Sequence, residues 1–226
     1  MSWIWAFVLG WIASFLASAF YGWGKRPVIE ISTEPDPTPS IGQMPGHPKH
    51  RFFHLIVENK EAPFLWRRFT QRDTAWACEV SLSFYFADRP REKAIPDTVI
   101  ARWSSAPELL QPVVLPNVSV GGQAARSTIP DLTKLPYGRR MDLHAGKPEP
   151  LDLVVKFEGQ RQCYVFGNES YWLGWENEGW RLEGGEYSIV AEIRSGGYRK
   201  TRIFRLTNNG TQLDSVTVRS LAKRQP

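Results

Sequence analysis

Residues 1–24 carry no Asp, Glu, Lys or Arg, and charge begins abruptly at Lys25-Arg26. From Trp3-Ile4-Trp5 to Phe20 the run is apolar, relieved only by Gly, Ala and Ser. A helix of about 20 such residues, rising roughly 1.5 Å per residue, matches the ~30 Å hydrocarbon layer of a bilayer. The pattern predicts a transmembrane helix over 1–24. Behind it the period changes to two. Phe53, Leu55 and Val57 alternate with His54, Ile56 and Glu58, and Cys78, Val80, Leu82, Phe84 and Phe86 share one face of the run 76–87. Such alternation predicts half-buried strands, with further short ones at 27–32 and 98–103. Leu151–Phe157 and Cys163–Phe166, joined across Glu158-Gly159-Gln160, read as a hairpin. So do Tyr187–Ile193 and Thr201–Leu206, where Gly196-Gly197 supplies the positive φ of a tight turn.

No sustained helical stripe follows residue 24. Repeated short strands without intervening helices predict an all-β chain, an antiparallel β-sandwich behind one N-terminal transmembrane helix. Three regions result: the helix at 1–24, a juxtamembrane strand and proline-rich connector at 25–50, and the sandwich at 51–226. Pro35, Pro37, Pro39, Pro45 and Pro48 stiffen the connector toward an extended chain. The interval 104–140, rich in Pro, Gly and Ser, reads as an irregular excursion over one end of the sandwich.

Two short motifs carry a family likeness. Leu182-Glu183-Gly184-Gly185-Glu186-Tyr187 resembles the L-x-x-G-x-Y corner of immunoglobulin-like domains. Val57-Glu58-Asn59, followed by Ala75 and Cys78, is similar to the V-x-N…A…C pattern of prokaryotic adhesion-type (CARDB-like) sandwiches. The resemblance implies an immunoglobulin-like sandwich used for binding or structure. For the corner it implies a tyrosine hydroxyl tied to backbone upstream. It carries no catalytic residues.

The ends of the apolar run bear on its fate. Trp3 and Trp5 at one end, and Tyr21 and Trp23 at the other, suit rings placed at two membrane interfaces. A cleaved signal peptide is the rival reading, because Ala17-Ser18-Ala19 resembles a peptidase site. Against it, no basic n-region precedes the run, and the apolar character continues past Ala19. Ala6, Gly10, Ser14 and Ser18 form a small-residue stripe that suits self-association in the membrane. Lys25-Arg26 lean the domain toward the cytoplasmic side by the positive-inside rule.

Composition narrows the partners. The formal net charge is +5 and the pI near 9.3, without a block of like charges. That balance favours anionic headgroups near a tethered domain and offers no clustered stripe for nucleic acid. Cys78 and Cys163 are too few for a disulfide scaffold, though outside the cytoplasm the two are candidates to pair.

Candidate chemistry is sparse. His47, His50 and His54 lie close in sequence, but Pro48 breaks their register, so they read as solvated loop and edge residues. The densest constellation is the aromatic loop holding Tyr171, Trp172, Trp175, Glu176 and Trp180, whose rings suit a sugar or a cation. Coverage of an open sandwich end explains the same rings. Phosphate loops, nucleophile elbows, zinc-protease motifs and dinucleotide fingerprints are missing, so no cofactor and no catalytic residue is expected. The expectation is a non-catalytic, membrane-anchored interaction or structural module, with a ligand-binding domain using the aromatic loop as the alternative.

Overall fold

The computed structural model describes residues 2–33, 41–42, 48–68, 70–107, 110–120, 123–173 and 176–221. Helix α1 (Ser2–Lys25) precedes the β domain and meets it at its C-terminal end. Every residue from Trp3 to Trp23 is exposed. Trp3–Lys25 has a mean hydropathy of 1.8 over its best window, enough by length and composition to cross a membrane. Pro27 ends the helix, because its ring disfavours helical backbone at Arg26 and it lacks an amide hydrogen.

The remaining elements, in chain order, are β1 (Ile29–Thr33), β2 (Ile41–Gly42), β3 (His50–Asn59), α2 (Phe64–Arg67), β4 (Ala75–Phe86), β5 (Val99–Ile100), β6 (Leu110–Val120) and β7 (Gln123–Pro130). There follow α3 (Leu135–Arg139), β8 (Met141–Leu143), β9 (Pro148–Phe157), β10 (Cys163–Val165), α4 (Asn168–Leu173), β11 (Arg181–Leu182), β12 (Gly185–Ser195), β13 (Tyr198–Asn208) and β14 (Val216–Ser220). They form two antiparallel sheets. The first runs β1-β3-β9-β10-β11, with β2 also on β3; the second runs β14-β13-β12-β4-β5, with β8 also on β4.

One apolar core joins the sheets. Ile29, Leu55, Val57 and Val165 from the first meet Val80, Leu82, Phe84, Ile189 and Phe204 from the second. The alternation read from the sequence is the reason. In β3 the residues Phe53, Leu55 and Val57 are buried, while His54, Ile56 and Glu58 are half-buried. The β12–β13 hairpin turns at Gly196 and Gly197, with φ of 47° and 86°, values that glycine adopts without a Cβ clash.

β9 is buried along its whole length from Leu151 to Phe157. A second cluster covers its outer face, in which Val155, Phe157, Tyr164 and Phe166 are joined by half-buried Phe52 and Tyr171. A bulge between Phe53 and His54 lets Leu153 and Val154 both turn to the inner core.

Two expectations need correction. The excursion at 104–140 is not irregular: β6 and β7 pair as an antiparallel ribbon outside both sheets, and α3 follows. Prolines at 112 and 116 disguise it, and both strands of a two-stranded ribbon are edges, where proline is tolerated. Within the connector, β2 pairs with β3 through Ile41 and Gly42, so part of it joins the first sheet. Residues 34–40 and 43–47 lie outside the described residues.

Candidate functional site

The most strongly built polar contacts outside the core lie where α1 meets the domain. Asp73 donates its amide to the Lys25 carbonyl at 2.8 Å, and Arg72 donates from Nη1 to the Arg26 carbonyl at 2.8 Å. Lys60 donates its amide to the Val28 carbonyl at 2.8 Å, and Lys200 donates from Nζ to the Ile29 carbonyl. Asn59 ties these strands together. Its buried amide accepts from the Val28 amide at 3.0 Å and donates to the carbonyls of Asp73 and Leu143 at 2.9 and 3.2 Å. The helix therefore runs into β1 through a hydrogen-bonded junction, with no free linker between them.

Beside this junction is a groove of about 690 Å³ between the end of α1 and the β12–β13 turn. Trp23, Val28, Pro63 and Tyr198 form its apolar walls, and Arg26 and Arg72 its charged ones. Arg72 Nε is buried without a hydrogen-bond partner. The same end of the domain exposes large apolar side chains. Phe64 and Leu65, directly after Pro63, are 85% and 77% exposed, and Trp76 is 64% exposed. Trp76 precedes Ala77, whose φ of 50° marks a kink at the start of β4, and its carbonyl accepts from Ser195 Oγ at 2.7 Å. That bond places Trp76 by the Gly196-Gly197 turn, next to the groove.

The aromatic loop is divided by the fold. Tyr171 is half-buried in the outer cluster, 5.6 Å edge-on to Phe166, with the Arg102 guanidinium 4.3 Å over its ring. Trp180 is half-buried against the inner core, and Glu176 is exposed. The side chains of Trp172 and Trp175 lie outside the described residues. Tyr171 and Trp180 thus serve two different clusters.

Cys78 and Cys163 are both free and buried, one on β4 and one on β10. Burial pushes the Cys78 thiol upward, and it pushes Cys163 up to about 12. Cys163 pairs across the strands with Lys156, a fully buried lysine that the sequence did not single out. Lys156 donates from Nζ to Asn208 Oδ1 at 2.8 Å, to the Gly210 carbonyl at 2.7 Å and to the Arg161 carbonyl at 3.1 Å. Burial pulls its ammonium below the ordinary lysine value, and three oxygens hold the charge in place. Asn208 in turn donates to the Glu183 carbonyl, which also accepts from the Tyr187 hydroxyl at 3.0 Å.

His50 and His54 are not solvated, contrary to expectation. His50 is buried, edge-on to Phe52 at 5.4 Å, and His54 Nδ1 lies 3.0 Å from Asp152 Oδ1. His47 lies outside the described residues. Ser104 Oγ donates to Asp152 at 2.5 Å and meets His54 Nδ1 at 3.2 Å. In a nucleophile relay the acid and the serine occupy opposite ring nitrogens. Here both meet the same nitrogen, so the trio is a clasp. It fixes the start of the 104–140 segment to β9, together with Ser105, which donates to Glu149 at 2.8 Å. Among the described residues, no group of three or more His, Cys, Asp or Glu is arranged to hold a metal.

Comparison of the chain with protein-family models, with curated proteins and with solved structures finds no match.

Proposed function

We propose that the chain is a single-pass membrane protein whose two-sheet domain acts as a non-catalytic interaction or structural module at the cell envelope. One observation carries the reading: a long apolar helix with none of its span buried is hydrogen-bonded at its end to the base of a β domain. In water such a helix would expose a continuous apolar surface. In a bilayer that surface is solvated by lipid. The polar junction then sets the orientation of the domain at the membrane.

Other observations support the finer parts of this reading. The Tyr187 hydroxyl reaches the Glu183 carbonyl four residues upstream, as the corner of an immunoglobulin-like domain requires. Gly10, at the middle of the small-residue stripe, has nothing within 4 Å of a built Cβ, which leaves room for a second helix. Lys25 and Arg26 favour the cytoplasmic side. A ligand role for the aromatic loop draws less support, because Tyr171 is already engaged by Arg102 and Phe166.

Alkaline-carbonate washing of membranes from cells making the full chain, or the chain lacking residues 2–24, tests the anchor. The reading expects the full chain in the membrane pellet and the shortened chain in the supernatant. Recovery of both in the supernatant would defeat it. The side occupied by the domain is read with an added cysteine at exposed Gln212, since the native thiols are buried.

A further inference from the structure

The groove at the helix–domain junction combines three features that suit a membrane surface. Its walls are apolar, with Trp23 at the end of α1 and Val28, Pro63 and Tyr198 from the domain. Two guanidinium-bearing residues, Arg26 and Arg72, share it. Among the described residues neither arginine forms an ion pair, and the buried Arg72 Nε has no acceptor. Of the carboxylates near this end, Asp73 acts on Lys25, and Glu61, which shares a neighbouring pocket with Arg72, is paired with Arg67.

If α1 spans the bilayer, residues 21–28 lie at headgroup depth, because Tyr21 and Trp23 are the aromatic belt of that end. A phosphodiester matches the fork of guanidinium donors and takes charge-assisted bonds from it. At about 690 Å³ the groove lies within the range of small-molecule pockets, roughly 300–1,000 Å³. Gly196 and Gly197 line its mouth and carry no side chains to close it. Exposed Phe64 and Leu65, which follow Pro63 of its wall, and Trp76, whose carbonyl is bonded by Ser195 beside Gly196, add the kind of surface that settles into the interface.

We infer that this groove binds the phosphate-bearing headgroup of an anionic phospholipid, with Arg26 and Arg72 on the phosphate and Trp23 and Tyr198 against the glycerol and upper acyl chains. The inference rests on the anchor reading above. Bound lipid fixes the depth at which the domain sits.

The test uses the full chain in nanodiscs of equimolar phosphatidylglycerol and phosphatidylcholine, with retained lipid identified by native mass spectrometry. The expected result is one phosphatidylglycerol retained in preference to phosphatidylcholine. Arg26→Gln/Arg72→Gln is expected to lower that retention about tenfold or more. Arg26→Gln alone, which leaves the Arg72 bond to the Arg26 carbonyl in place, is expected to lower it partly. Arg219→Gln, an exposed change on β14, leaves it intact. Equal retention of the two lipids, or undiminished retention in the double variant with an unchanged melting curve, overturns the inference. Displacement of the lipid by millimolar inorganic phosphate also overturns it, because the site would then take free phosphate. A chain that fails to enter nanodiscs removes the anchor itself, whereas one that enters without lipid preference removes only the site.

Discussion

Lys156 Nζ donates to Asn208 Oδ1 at 2.8 Å, a hydrogen bond that leaves one sheet from β9 and ends on the other at β13. Both residues are fully buried, and among the described residues no carboxylate partners the ammonium there. The charge is held by one amide and two carbonyl oxygens, so the network fixes how the sheets meet at that end. The core supplies most of the attraction between them, while this bond and its neighbours discriminate among ways of stacking.

Replacing Lys156 with Met keeps the apolar stem and orphans the buried Asn208 Oδ1 and the half-buried Gly210 carbonyl, while the Arg161 carbonyl keeps its bond from Asn208 Nδ2. Each orphaned group costs about 1–3 kcal/mol, so Lys156→Met is expected to destabilise by about 2 kcal/mol or more. Asn208→Ala removes the shared partner, and a double-mutant cycle should give a coupling of about 1–3 kcal/mol. Urea unfolding of the full chain in micelles measures all three variants.

Tyr187 donates its hydroxyl to the Glu183 carbonyl, and burial pushes its pKa up to about 12. The unfolded chain would lose that proton near 10.0. Stability from this group is therefore complete below pH 10 and declines as pH rises through about 12. Tyr187→Phe is expected to cost about 1 kcal/mol at neutral pH and to flatten that alkaline decline. Phenolate absorbance and unfolding midpoints across the alkaline range check both.

Glu149 behaves in the opposite sense. Burial works against its charge, but hydrogen bonds from Lys147 and Ser105 prevail and hold the carboxyl below the usual 4.5. As pH falls below 4.5 the unfolded chain takes up this proton first, so the contribution of Glu149 is present above that pH and lost in acid. Glu149→Gln should lower stability at neutral pH and reduce the steepness of the acid limb. Unfolding midpoints measured between neutrality and pH 3 give the slope directly.

Asn59 holds the junction, since its amide satisfies the Val28 amide and two carbonyls at once. Asn59→Ala should cost about 2 kcal/mol or more. Its distinguishing effect is local, with faster amide exchange at Val28 and Asp73 than in the β12–β13 hairpin. Uniform acceleration across the domain would show that Asn59 serves general stability alone.

The strands of the shared core were legible because their signals are local. Phe53, Leu55 and Val57 announce a half-buried strand within five residues, and Gly196-Gly197 announces its turn in two. Lys156 was not legible. A lysine in a strand reads as solvated, and its acceptors Asn208 and Gly210 lie 52 and 54 residues away. Arg72 reaches the Arg26 carbonyl across 46 residues, so the groove has no contiguous motif either. His50 and His54 were misread for the same reason, because Phe157 against His50, and Asp152 and Ser104 against His54, come from distant parts of the chain. Of the aromatic loop, the sequence gives the density of rings but not their separation into two clusters.

The central claim is that α1 is a retained anchor and not a signal removed near Ala19. Intact mass of the chain recovered from carbonate-washed membranes decides it most directly. The expected species carries residues 1–19, which for this sequence is a mass of 25.8 kDa. A shorter chain beginning after Ala19, found in the soluble fraction, would contradict it.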